Sequence, residues 1–262
     1  MMCAVKSISA KAVIEVSSLW KRTSQCQCWR ARHFSDLSTV ASSDKPTTSG
    51  DRNSWLHIHD GLASDSNLCS RFCSSVDVLQ NFITEAEEQC LVDEAHVYLK
   101  RLRYETEHWD DAIHDYRETE RTEWSSENQQ IIQRIRVSAF PADSRHLTHV
   151  HILDLAAHGY IKPHIDSDRY CGDIIAGLSL LSPSIMRLIH RDFPEAAADL
   201  LLSRRSMYIL RDLARYEFKH EILPNNASFF RDCQIVRNRR ISVICRSLPQ
   251  ISSPNSLQFK QV

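Results

Sequence analysis

Gly159-Tyr160-Ile161-Lys162-Pro163-His164-Ile165-Asp166-Ser167 is the stretch on which the reading of this chain turns. On an extended strand the i, i+2 spacing sends His164 and Asp166 to the same side. A histidine and a carboxylate so placed are two of the three ligands that hold a ferrous ion on one face and leave the other face open. The triplet alone decides nothing, because His-x-Asp occurs three times. His108-Trp109-Asp110 lies in a polar stretch rich in aromatics. His190-Arg191-Asp192 ends a short apolar run and mimics a kinase catalytic loop without its asparagine. Only His164-Ile165-Asp166 is followed at sensible distances by the other parts that such a site needs.

The second histidine is expected at His220. Tyr216-Glu217-Phe218-Lys219-His220-Glu221-Ile222 alternates, with Tyr216, Phe218, His220 and Ile222 on one face and charges on the other. A histidine on an apolar face needs a polar partner, and the bland alternative is a core histidine bonded to a backbone carbonyl. Further on, Arg240-Ile241-Ser242-Val243-Ile244-Cys245-Arg246 alternates again. Arg240, Ser242, Ile244 and Arg246 share one face; Ile241, Val243 and Cys245 share the other. If both faces are covered, two inward arginines need anions. A dicarboxylate such as 2-oxoglutarate offers planar carboxylates suited to a guanidinium, and its keto acid end chelates iron. The alternative is a solvent-facing basic strand, since Arg231, Arg237 and Arg239 lie nearby. Triplet, late histidine and arginine strand in that order are more specific than any of them singly.

Short β-branched or alternating runs at 149–155, 174–181, 186–190, 206–211, 216–222 and 240–246 predict an antiparallel β core of sandwich or barrel type. Glu195 to Leu202 reads as a helical insertion between strands. Before the core, Thr84-Glu85-Ala86-Glu87 fits a capping box, with Leu91, Ala95 and Leu99 at helical spacing, which predicts a helix over 85–100. A second helix begins at Ser125 or Ser126 and carries Ile131, Ile132 and Ile135. Between the two helices lie Tyr104, Trp109, Tyr116 and Trp124.

Residues 1–34 hold six Lys or Arg against the single acid Glu15, with a possible apolar helical face. This is the composition of a mitochondrial transit peptide, and Arg32-His33-Phe34-Ser35 reads as its processing site. Residues 35–75 are expected to be a partly disordered linker, 76–248 the folded domain, and 249–262 a flexible tail. The 262 residues carry a formal charge of −1, or −6 once residues 1–34 are removed. No strong positive field recruits nucleic acid. With 42% hydrophobic residues the chain is not wholly disordered, and no apolar run is long enough to span a membrane. Nine scattered cysteines fit a reducing compartment better than a disulfide framework.

From about Val78 to Leu248 these residues resemble the AlkB family of Fe(II)/2-oxoglutarate dioxygenases, and within it a mitochondrial member. Besides the opening stretch, Ile175-Ala176-Gly177-Leu178-Ser179-Leu180-Leu181-Ser182-Pro183-Ser184 and Arg240-Ile241-Ser242-Val243-Ile244-Cys245-Arg246-Ser247 carry the likeness. The resemblance implies a mainly β, α+β fold: a double-stranded β-helix, or jelly roll, with N-terminal supporting helices. It implies that His164, Asp166 and His220 hold Fe(II), and that Tyr208, Arg240 and Arg246 contact 2-oxoglutarate with Ser242 nearby. Arg240 is assigned to the distal carboxylate and Arg246 to the iron-proximal end, an assignment that the reverse order rivals. O2 is the other cosubstrate.

Three departures stand out. Arg205 and Asp212 occupy positions where the family commonly has glycine, so different turns are expected there. Leu153 and Leu155 replace the asparagine and tyrosine that help bind the cosubstrate in nucleic-acid-directed members, so the cosubstrate is expected to rely more on Tyr208. The resemblance further implies a protein hydroxylase of the mitochondrial matrix, with roles in programmed necrosis after alkylation damage and in fatty-acid metabolism. The alternatives are a demethylase of mitochondrial RNA, with the four aromatics stacking bases beside the Arg231, Arg237 and Arg239 patch, and a non-catalytic interaction protein on the same fold. The oligomeric state is open.

Overall fold

The strand Arg240–Arg246 lies near the centre of the sheet and pairs antiparallel on both sides, with Val150–His164 and with Ile174–Leu180. In this computed structural model, which describes residues 51–249, the remaining elements assemble around that triple. In chain order the strands are β1 (Leu56–Ile58), β2 (Val76–Leu79), β3 (Glu105–Glu107), β4 (Ile113–Arg121), β5 (Val150–His164), β6 (Ile174–Leu180) and β7 (Ser184–His190). They continue with β8 (Ala197–Leu202), β9 (Ser206–Arg211), β10 (Phe218–Ile222), β11 (Phe229–Phe230), β12 (Cys233–Gln234) and β13 (Arg240–Arg246). The helices are α1 (Asp60–Ala63), α2 (Ser66–Ser75), α3 (Glu85–Leu99), α4 (Ser126–Ala139) and α5 (Asp212–Tyr216). Eleven strands form one sheet along the path β1-β8-β7-β10-β5-β13-β6-β9-β2, with β4 on β5 and β3 on β4, and every pairing is antiparallel.

Alternation along β13 divides the two cores. Ile241, Val243 and Cys245 pack with Ala176, Leu178 and Leu180 against Leu91, Ala95 and Leu99 of α3 and Ile131, Ile132 and Ile135 of α4. The opposite face turns into a second apolar cluster that includes Leu153, Leu155, Met186, Tyr208 and Ile244. Both faces of β13 are thus covered, and a solvent-facing basic strand is excluded. The helix over 85–100 has the anticipated capping box: the Thr84 hydroxyl accepts from the Glu87 N–H, and the Glu87 carboxylate accepts from the Thr84 N–H. The α3 helix is tied to the sheet by Glu88, buried at 1% exposure, which accepts from the Leu181 N–H and from Arg204.

The structure departs from the sequence reading at five places. Residues 197–202 are strand β8, paired with β1 and β7, and not a helix. A short, mostly apolar run with two alanines has no period that separates helix from strand, and cross-strand burial decides. Residues 51–75, assigned to the linker, carry β1, α1 and α2, with Leu62 and Phe72 fully buried. Tyr216 belongs to α5 and is exposed, so the strand starts at Phe218. Strand β4 had not been anticipated. Finally, Arg205 and Asp212 do not need different turns: their φ values are 67° and 46°, the left-handed region that glycine would occupy without strain. The transit-peptide segment, its processing site and most of the tail lie outside the described residues.

Candidate active site

Strand β5 brings the three candidate metal ligands together. His164 ends it, Asp166 follows two residues later, and His220 on β10 is directly opposite His164 in the ladder. Their ligand atoms all lie within 4.8 Å of one another. The Asp166 carboxylate is divided between two tasks. Its Oδ1 faces His164 Nε2 at 3.5 Å and His220 Nε2 at 3.7 Å, while its Oδ2 accepts from Arg246 Nε at 2.8 Å. His164 Nδ1 lies 2.9 Å from the Lys162 carbonyl. A carbonyl only accepts, so the proton sits on Nδ1 and the Nε2 lone pair points at the cluster, the orienting hydrogen bond that metal-bound histidines make. Two neutral imidazole nitrogens and one carboxylate oxygen converging in this way fit Fe(II).

The electrostatics suit Asp166 and His220 as donors as they stand, while His164 must give up a proton to bind a metal. Burial alone would raise the Asp166 carboxyl, but its interaction with His164, whose Nε2 carries a proton only while no metal is bound, and the charge of Arg246 hold it well below the usual range. It is therefore ionised. Burial, helped by His164 and opposed by Asp166, pushes His220 down to about 3, so that it is neutral. For His164, burial is outweighed by the bonds to Asp166 and to the Lys162 carbonyl, which raise it.

A cavity next to this cluster is lined by Leu153, Tyr208, Arg240, Ser242 and Arg246 among others. Arg240 is 2% exposed. Its Nε donates to Ser179 Oγ at 3.0 Å and its Nη1 reaches Ser242 Oγ at 3.5 Å, but its buried Nη2 has no partner. A guanidinium surrounded only by neutral hydroxyls and left with an orphan donor fits a carboxylate ligand. Tyr208 faces the same guanidinium, and burial raises its phenol. Gly177 makes room for it: a Cβ there would collide with the Tyr208 ring. Leu153 presents only apolar surface on this wall, and Leu155 is buried in the apolar cluster without lining the cavity.

The other two His-x-Asp triplets do structural work. His190 Nδ1 accepts from the N–H groups of Asp192 and Phe193 and so caps a turn. His108 Nδ1 bonds Asp110 at 2.6 Å in the β3–β4 connection. Nor do the three arginines thought to form a basic patch remain free. Arg239 makes a two-point bond to Asp154, Arg237 is 1% exposed and donates to the carbonyls of Ala156 and Gly159, and Arg231 donates to the Asn53 carbonyl. Of the four aromatics, Tyr116 is buried, Trp124 packs against the helices and Tyr104 bonds Asp154, whereas Trp109 is 89% exposed. Sequence reasoning missed His151, Glu118 and Ser179. A signal for His151 existed, since it lies on the same strand face as Leu153 and Leu155.

A curled antiparallel sheet that holds His, Asp and His beside a buried arginine defines a 2-oxoglutarate oxygenase of the jelly-roll class. The solved structure of OsALKBH1 shares the fold, with a TM-score of 0.50, 11% identity, and coverage of 66% of this chain and 97% of that one. No family model matches the chain. Curated relatives do, among them two of one name: the alpha-ketoglutarate-dependent dioxygenase alkB homolog 7, mitochondrial, of Mus musculus is 49% identical over 209 residues, covering 78% of this chain and 95% of the relative. The protein of the same name from Bos taurus is 50% identical over 191 residues, 73% of this chain and 86% of the relative. The chain belongs to the alkB homolog 7 family of alpha-ketoglutarate-dependent dioxygenases.

Proposed function

We propose that this dioxygenase, mitochondrial like its named relatives, works in the matrix as a protein hydroxylase. His164, Asp166 and His220 would hold Fe(II). Arg240, with Tyr208 and Ser242, would take the distal carboxylate of 2-oxoglutarate, and Arg246 its iron-proximal end. Arg240 supports this order because its buried Nη2 faces no partner, whereas Arg246 is already bonded to Asp166. Bound iron and 2-oxoglutarate supply the oxidation: O2 is consumed, the keto acid becomes succinate and carbon dioxide, and one oxygen atom enters a substrate C–H bond. The chain's own residues hold and orient. Lys162 fixes the His164 tautomer through its carbonyl, Arg246 keeps Asp166 ionised, and the wall of Leu153, Met186 and Ile244 keeps water from the cosubstrate.

The observation that carries the choice of a protein over RNA is the commitment of Arg237 and Arg239 to internal partners, which leaves of that patch only the exposed Arg231. The β3–β4 hairpin next to the site carries Glu105, Glu107, Asp110, Asp111 and Asp115; Asp111 is paired with Lys162, and Asp110 and Asp115 face histidines, so the hairpin offers phosphates no excess of positive charge. The complete donor set argues against a non-catalytic role. The roles in necrosis and fatty-acid metabolism that the family resemblance implies are proposed to act through hydroxylation of a matrix protein. The test is mass spectrometry of mitochondrial peptides and RNA from cells carrying the wild-type enzyme or His220→Ala. A gain of one oxygen on peptides that depends on His220 is expected; loss of RNA methyl groups with unaltered peptides would overturn the reading.

A further inference from the structure

A line of side chains runs from the β3–β4 hairpin to the metal ligand Asp166. His108 Nδ1 bonds Asp110 Oδ1 at 2.6 Å, and His108 Nε2 lies 3.7 Å from Glu118 Oε1. Glu118 Oε2 is 2.7 Å from His151 Nε2, His151 Nδ1 is 3.3 Å from Arg246 Nη1, and Arg246 Nε donates to Asp166. Donor chemistry fixes the protons along it. Arginine only donates, so His151 Nδ1 must accept and its proton must lie on Nε2, where the Glu118 carboxylate accepts it. Glu118 is suited to this: the bond to His151 outweighs its burial and keeps the carboxyl below its ordinary range. With Nε and Nη1 both anchored, the guanidinium plane of Arg246 cannot swing.

The register shows why this chain needs such an anchor. His151, Leu153 and Leu155 share one face of β5 and stand opposite Ile244, Ser242 and Arg240 of β13. The two leucines offer the cosubstrate no polar group, and the first polar side chain on that face is His151, which lines the cavity. We propose that His151, held in one tautomer by Glu118, is a positioning residue that sets Arg246 for the iron-proximal carboxylate of the cosubstrate. His108, bonded to Asp110, lies 3.7 Å from Glu118, beyond hydrogen-bond distance, and forms the outer end of the line. The inference rests on the assignment of Arg246 to 2-oxoglutarate.

Calorimetric titration of the Mn(II)-loaded protein with 2-oxoglutarate, without turnover, tests it. Losing the anchor is worth about one hydrogen bond, so His151→Leu should weaken 2-oxoglutarate binding about tenfold. His151→Asn places an amide oxygen where Nδ1 was and should stay within about threefold of wild type by the same reasoning. Glu118→Gln should fall between, at about fivefold. A folded His151→Leu or Glu118→Gln protein that binds as wild type does, or an Asn variant as weak as the Leu variant, would overturn the proposal. Arg246→Met is the control on the assignment beneath it: if that change leaves the affinity intact, Arg246 is not a cosubstrate ligand and the assignment itself falls.

Discussion

Arg240→Met separates the cost of this site from its purpose. In the protein without ligand, the Arg240 guanidinium is 2% exposed and touches hydroxyl groups of Ser179, Ser242 and Tyr208. Truncating one partner of a buried ion pair ordinarily costs about 3–5 kcal/mol, because a charge is stranded. Here no carboxylate is stranded. Removing the buried cation relieves a desolvation penalty of several kcal/mol. Against that, up to three hydroxyls lose a donor at about 1–3 kcal/mol each. The two nearly cancel, so the melting temperature of the ligand-free variant should lie within about 3 °C of wild type. The ligand response should differ completely. At a hundredfold excess over Kd, 2-oxoglutarate contributes about 2.7 kcal/mol to wild-type stability. In a domain of this size that is a rise of about 5–11 °C. The assay is thermal denaturation of Mn(II)-loaded protein with and without 2-oxoglutarate, and the variant should show no rise. A loss of more than about 10 °C without ligand, or a retained ligand shift, would refute the reasoning by making Arg240 a structural keystone or a bystander.

Metal affinity should depend on pH through one histidine. His220 is already neutral above about 3, whereas His164 is raised and must release a proton to bind. As pH falls through the His164 pKa, Mn(II) affinity measured by calorimetry should drop about tenfold per pH unit. A drop of about a hundredfold per unit would mean that both histidines titrate. Gly177→Ala drives a methyl group into the Tyr208 ring and should cost about 1–3 kcal/mol in chemical denaturation while weakening 2-oxoglutarate binding; unchanged stability would show that Tyr208 does not lie against that glycine. At Arg205, with φ at 67°, the Gly variant should be more stable than the Ala variant by about 1 kcal/mol, and the reverse order would contradict a left-handed backbone there.

Elements whose pattern reports on both faces could be read directly from the chain. The 240–246 strand is one: its odd and even residues fall on the helix-covered and cavity faces as the alternation requires. Helix α3 is another, since its capping box and apolar spacing agree. Where the pattern was ambiguous, pairing partners decided, as at β8. The β1–α2 segment was obscured by a polar composition, although Leu56, Leu62 and Phe72 are buried. Of the candidate ligands, His164 and His220 lie on strands whose faces were predictable, and Asp166 follows His164 by two residues, just beyond the end of its strand. The Glu118–His151 bond was not visible, because it joins β4, which had not been recognised, to a residue before the predicted site. The basic patch failed for a related reason: charge counted along the chain takes no account of Asp154, fully buried, which bonds both Arg117 and Arg239.

The most direct test is a crystal structure of the protein grown anaerobically with Mn(II) and 2-oxoglutarate, with anomalous scattering used to place the metal. One anomalous peak bounded by His164 Nε2, Asp166 Oδ1 and His220 Nε2, with the distal carboxylate on Arg240, is the predicted result. A metal bound elsewhere, or a cosubstrate whose far carboxylate lies on Arg246, would contradict it.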